Sequence, residues 1–303
     1  MFLLPPRPSL QQVVPAAIRQ SPLTQVCEFS EKQLNKFVGL NAGLLCGMCY
    51  AECEPEQLRV CSDFMSFLFN STTGVTSLEE AVMNTLNHPE TYHSDAVAAR
   101  TAKSWWTRML KTVGPNCRTR FVDTLGSTSR PANTVPELEA YISLRRDTSG
   151  CKTGFSLIEY AAGIDLPNEV VEHPVIQGLL DATNDSVSWA NDILSYNREQ
   201  SRGDSHNLVC AVMVTLGLER QAAIDYAGNL CSKTVERFLE GKAALPSWGP
   251  EIDAQVQTYV QGLEDWIIAN AEWSFMTERY FGKDGPKIRK ILQVTLLPVR
   301  GFD

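Results

Sequence analysis

The chain has 303 residues, 44% hydrophobic and 20% charged, with a formal net charge of −8 at pH 7. It holds enough apolar material for a sizeable core, and its acidity argues against a general nucleic-acid binder. No run reaches the roughly 18 apolar residues of a membrane span, and the opening MFLLPPRP is too short an apolar run for a signal peptide.

A cytoplasmic location is therefore expected, with the nine cysteines reduced and mostly set in apolar helical patterns. Cys46, Cys49 and Cys53 share one helix face, but no second Cys or His pair completes a zinc set.

Residues 1–28 are Pro-rich (Pro5, Pro6, Pro8, Pro15, Pro22) and are expected as an irregular arm. Apolar residues then recur at helical spacing from Phe29 to Tyr50, with Ser30 as a cap and Glu31 in the first turn. A second helix is expected from Pro55 to Phe69, its end almost wholly apolar through Phe64, Phe67, Leu68 and Phe69. Asn70-Ser71-Thr72-Thr73-Gly74 breaks it.

Helices follow at Ser77–Leu86 and Asp95–Val113, the latter carrying Trp105 and Trp106, and Pro115 and Ser127–Pro136 read as loops. A helix from Val135 reaches Arg145-Arg146, is interrupted at Gly150 and resumes through Ala162. The remaining helices are expected at Pro174–Gly203, Asn207–Leu216, Glu219–Leu239, Ile252–Phe281 and Lys287–Leu296. With no β alternation longer than four residues, the fold class is all-α, about ten to twelve helices forming one domain over 29–303.

Asn191, Ser195 and Glu199 are spaced i, i+4, i+8 and share one helix face. An amide oxygen, a hydroxyl and a carboxylate are hard donors, the kind Mg²⁺ takes while leaving room for water and phosphate. A solvated face would also read as polar. Here, however, the flanks are apolar or aromatic (Val187, Trp189, Ala190, Ile193, Leu194, Tyr196), and a buried polar stripe needs partners. Asn184, Ser188 and Asp192 repeat the pattern one heptad earlier.

Near the C-terminus, WSFMTERYFG offers Arg279, a planar fork suited to phosphate, and the Tyr280 hydroxyl. The same string also reads as an ordinary helix end, with Arg279 complementing the dipole and Gly282 as cap. Arg145 and Arg146 are adjacent and point to different faces, and Arg145 lies 46 positions before Asn191 (191 − 145). His88, His93, His173 and His206 share no spacing, and no Ser/His or Cys/His arrangement suggests a protein nucleophile.

NDILSYNRE (191–199) resembles the NDxxSxxxE metal motif of class I terpene synthases. The Arg279-Tyr280 string resembles the diphosphate-binding pair of fungal sesquiterpene synthases. LRVCSDFMSFLF (58–69), RRDTSG (145–150), NDILSYNRE with the following Asp204–Asn207, and WSFMTERYFG stand in the order of a basidiomycete-type sesquiterpene synthase. This resemblance implies a single-domain helical bundle with a central pocket. It implies Mg²⁺ on Asn191, Ser195 and Glu199, and favours that frame over the one ending at Asp192. Diphosphate would lie on Arg145 (with Arg146 as alternative), Arg198, Arg279 and Tyr280.

It also implies Phe64, Phe67, Trp189 and Trp273 as pocket walls, each of which plain core packing would equally explain. The implied reaction is ionisation of farnesyl diphosphate to a sesquiterpene and diphosphate.

One stretch departs from the family. After Phe69 the family carries an aspartate-rich motif that binds two of its three Mg²⁺ ions; here Asn70 stands in the place of the first aspartate, and residues 70–74 contain no carboxylate. The nearest acids are Asp63, Glu79 and Glu80. Two alternatives therefore accompany the synthase reading: a catalytically impaired relative, and a non-catalytic all-α interaction protein. A chain-elongating prenyltransferase would need two aspartate-rich motifs. Product and oligomeric state are not encoded in these motifs.

Overall fold

A computed structural model describes residues 30–51, 53–71, 76–127 and 137–299. The expected N-terminal arm, residues 72–75 of the polar stretch and the Asn70 side chain lie outside the described residues. Every described element is helical, and contacts group the chain into two compact units, Met1–Thr112 and Val113–Asp303.

In the first unit, α1 (Glu31–Leu40) starts on a capping box. Gln33 N donates to Ser30 Oγ at 3.4 Å, and Ser30 N donates to Gln33 Oε1 at 3.0 Å. The helix expected for 29–50 is in fact two. Asn41 takes a left-handed conformation (φ 55°, ψ 41°), which a short polar side chain tolerates, and α2 (Ala42–Cys49) begins beyond it. α3 (Pro55–Ser71), α4 (Thr76–Asn87) and α5 (Val97–Met109) complete the unit.

Its core holds a cluster of aromatic rings. Trp105 meets Phe64 edge-on at 5.2 Å and Phe67 at 5.9 Å, and Trp106 donates Nε1–H to Leu86 O at 3.0 Å. The buried Asp63 ties α3 to α5 by accepting from Arg59 Nε at 3.1 Å and Arg108 Nη2 at 2.6 Å.

The second unit opens with a helix the sequence reading missed, α6 (Pro115–Gly126). Pro115, read as loop, is its first residue, where a missing N–H costs nothing. Only Cys117 and Phe121 of α6 are buried, so apolar periodicity is faint. Its first turn is capped from far along the chain: Asp165 accepts from Cys117 N at 2.7 Å, Asn116 N at 3.3 Å and Asn116 Nδ2 at 3.2 Å.

α7 (Leu138–Thr148) and α8 (Cys151–Ala162) are separated at Gly150, φ 72°, as the sequence suggested. After the short α9 (Asn168–Val171) comes α10 (Pro174–Arg202), ended by Gly203 in the left-handed region. α11 (Leu208–Leu216), α12 (Arg220–Ala243) and α13 (Pro250–Met276) pack round it directly or through one another.

α8 and α13 approach closely because Gly262 has no side chain; a Cβ there would stand 2.4 Å from Ile158 Cγ2. The helix expected to run to Phe281 stops at Met276. Thr277 turns to the β region, and its Oγ1 accepts from Arg279 N at 3.2 Å to start α14 (Glu278–Phe281). α15 (Gly285–Ile291) ends on Leu292, and 293–299 are non-helical where helix was expected to 296.

Candidate functional site

Apart from Asn70, the residues read from the sequence as metal or diphosphate ligands belong to the second unit, and all but Arg146 gather at the C-terminal half of α10. Proline at the first position fixes that helix's start, and the His173 ring nitrogen Nδ1 accepts from Val175 N at 3.3 Å. The two polar frames on α10 part company. Asn184, Ser188 and Asp192 are each 1% exposed. Asn184 is bound to the helix break: its Nδ2 donates to Arg146 O and its Oδ1 accepts from Ser149 Oγ, both at 2.9 Å. Asn191 and Glu199 are less enclosed, with the buried Ser195 between them.

Asn191 is the meeting point of three elements. Its Nδ2 donates to Tyr280 Oη of α14 at 2.6 Å, and its Oδ1 accepts from Arg145 Nη2 of α7 at 3.2 Å. Arg198, two turns on, donates Nε–H to Tyr280 O at 2.8 Å and Nη2–H to Glu278 O at 3.2 Å. The Arg279 guanidinium lies 5.8 Å from the Tyr280 ring centroid. Burial first, and then the charges of Arg202 and Arg279, lower the Arg198 pKa. Clustered guanidinium groups that disfavour one another are a setting an anion relieves.

The adjacent arginines separate as their phase requires. Arg146 forks onto Asp185 at 2.7 Å for both oxygens and reaches Asp181 at 3.0 Å; Arg237 joins the same buried Asp185 at 2.6 Å. Arg145 turns to Asp192 instead, with Nε to Oδ1 at 3.0 Å and Nη2 to Oδ1 at 2.8 Å. Burial pulls the Arg145 pKa down, but Asp192 and Tyr141 outweigh it and the net shift is upward. The other Asp192 oxygen accepts from Tyr141 Oη and from Leu208 N at 3.1 Å.

Asp192 is thus the anchor of Arg145, a role the sequence reading missed. Its one signal in the sequence is its place at the end of the Asn184, Ser188, Asp192 repeat, which suggests only a second frame. Asn207, read as a helix start, is also part of the site: it donates Nδ2–H to Glu199 Oε2 at 2.8 Å.

Glu199 has its pKa raised by burial first and by Asp192 next; the donors opposing the shift, Asn207 and Ser195, are neutral, and Asp204 adds to it. A mostly buried carboxylate among neutral donors and other acids is an arrangement a cation would relieve, and the donors of Asn191, Ser195 and Glu199 are all oxygen. The residues present therefore fit a hard divalent cation.

The aromatic candidates lie in different places. Trp273, fully enclosed, meets Tyr280 edge-on at 6.0 Å. Trp189 sits in a cluster with Tyr141, Tyr196, Leu208 and Val209. Phe64 and Phe67 pack on Trp105 in the first unit.

Residues 67–237 match the family model described as terpene synthase family 2, C-terminal metal binding. Among curated proteins, the chain is 70% identical to sesquiterpene synthase 3 of Postia placenta over 325 residues, 98% of this chain and 89% of that protein. That alignment is longer than the 303 residues here, so the relative carries positions between its matched parts that this chain lacks. It is 46% identical to the alpha-muurolene synthase of Coprinopsis cinerea over 90% of this chain and 70% of the relative. Among solved structures it resembles a-eudesmol synthase at TM-score 0.78 and 19% identity, covering 91% of this chain and 99% of that one, a likeness of fold.

Proposed function

This chain belongs to the terpene synthase family, and we propose that it ionises farnesyl diphosphate in the presence of Mg²⁺, yielding a sesquiterpene and diphosphate. The observation that carries the reading is Asn191, whose amide joins Arg145 to Tyr280 on the same helix face as Ser195 and Glu199. Two separate requirements, hard oxygen donors and diphosphate-binding guanidinium groups, are met at one place.

In this reading Asn191, Ser195 and Glu199 hold the cation. Bound there, Mg²⁺ supplies the positive charge that neutralises the departing diphosphate. Arg145, Arg198 and Arg279 bind and orient the diphosphate oxygens, and the Tyr280 hydroxyl donates a hydrogen bond beside them. Asp192 keeps Arg145 charged and in place. Within the second unit, Trp189 and Trp273 supply apolar walls that exclude water, and aromatic faces that attract a carbocation. No protein nucleophile takes part.

The lack of any carboxylate in residues 70–74 favours a second reading, a member of the family that binds prenyl diphosphate but turns it over poorly. One experiment separates the two. The protein is incubated with farnesyl diphosphate and Mg²⁺, and volatile products are read by gas chromatography beside Glu199→Gln. Sesquiterpene that disappears in the variant supports the synthase. Absence of product, with turnover gained on placing acids at positions 70 and 73, supports the impaired relative.

A further inference from the structure

We propose that Asn207 is a positioning residue for the Glu199 carboxylate, an assignment that rests on the metal-site reading of α10. Asn207 is fully buried at the N-cap of α11. Its Oδ1 accepts from Val209 N at 2.8 Å, the ordinary capping bond. That bond fixes the plane of the amide, and its other end is then aimed at α10. Nδ2 donates to Asp192 O at 2.7 Å and to Glu199 Oε2 at 2.8 Å.

An amide nitrogen carries two hydrogens, and here there is an acceptor for each, so the group has no freedom to swing. Glu199 is a flexible side chain near the end of a long helix, and one of its two oxygens is held. With Asn207 on that oxygen and the Ser195 hydroxyl also donating to the group, the carboxylate faces a ligand in a fixed direction.

The remaining acceptor extends the effect. Asp192, whose carbonyl takes the other Asn207 hydrogen, is the residue whose carboxylate anchors Arg145. One buried amide therefore sets the register of the metal-facing acid against the helix that also carries the anchor of the diphosphate arginine. Capping α11 alone does not call for asparagine: Ser or Thr would accept from Val209 N equally well. The donor toward Glu199 is what a hydroxyl cap placed there would not reproduce.

That difference provides the test. Asn207→Ser and Asn207→Thr keep the cap acceptor and remove the amide donor. The full chain is melted with inorganic diphosphate while Mg²⁺ is titrated, a readout that needs no turnover. We expect the ligand-free melting temperature of at least one variant to stay close to wild type. We expect its Mg²⁺ midpoint for stabilisation to rise on the order of tenfold or more, the usual scale for losing the partner that orients a metal ligand. A midpoint within about twofold of wild type in a folded variant would overturn the assignment while leaving the metal-site reading intact. A wild-type protein that Mg²⁺ and diphosphate do not stabilise would overturn both.

Discussion

Glu199 is where sequence chemistry and structural cost meet. Its pKa is raised from the ordinary 4.5, by burial first and by Asp192 second. The sign follows from linkage: the folded metal-free protein binds a proton there that the unfolded chain has already lost. Stability of the metal-free protein should therefore fall as pH rises from 4.5 through the raised folded-state value, and Glu199→Gln should remove that component. Denaturant unfolding at stepped pH, with metal chelated, measures it; parallel pH profiles for wild type and variant would refute the burial argument. At this scale the sequence was partly legible. Spacing alone put Asn191, Ser195 and Glu199 on one face, but not Asn207, whose part depends on a loop returning the chain to α10.

The elements were legible wherever their signals were local. Ser30, Pro55, Pro174, Gly150 and Gly203 mark helix ends that the structure places within a few residues. The misses have non-local or weak causes. α6 has little apolar periodicity and takes its cap from Asp165, about 50 residues on. The stop at Thr277 is a change of backbone conformation that the helical spacing of Trp273, Met276 and Tyr280 on either side of it conceals. Asp165→Ala should cost about 1–2 kcal/mol, since it strands N–H groups of the α6 first turn. Chemical denaturation reads this, and a change below the error of the measurement would show that water replaces the carboxylate without loss.

For the whole molecule, the family is shown by the match over residues 67–237 and by the relatives, and the helical class by the described elements, while the chemistry depends on how much of the family's charge balance this chain keeps. Diphosphate carries several negative charges, and in the proposed function Arg145, Arg198, Arg279 and one cation site of the second unit are set against them. Residues 70–74 add no carboxylate to that set. Binding and turnover are therefore separable here, and binding is the firmer expectation.

The most direct test is a calorimetric titration of inorganic diphosphate into the wild-type protein and Glu199→Gln, each with and without Mg²⁺. Wild-type binding is expected to require Mg²⁺, and the variant to lose it by tenfold or more, about 1.4 kcal/mol at least. Equal binding without the metal, or an unaffected variant, would contradict a metal–diphosphate site on α10.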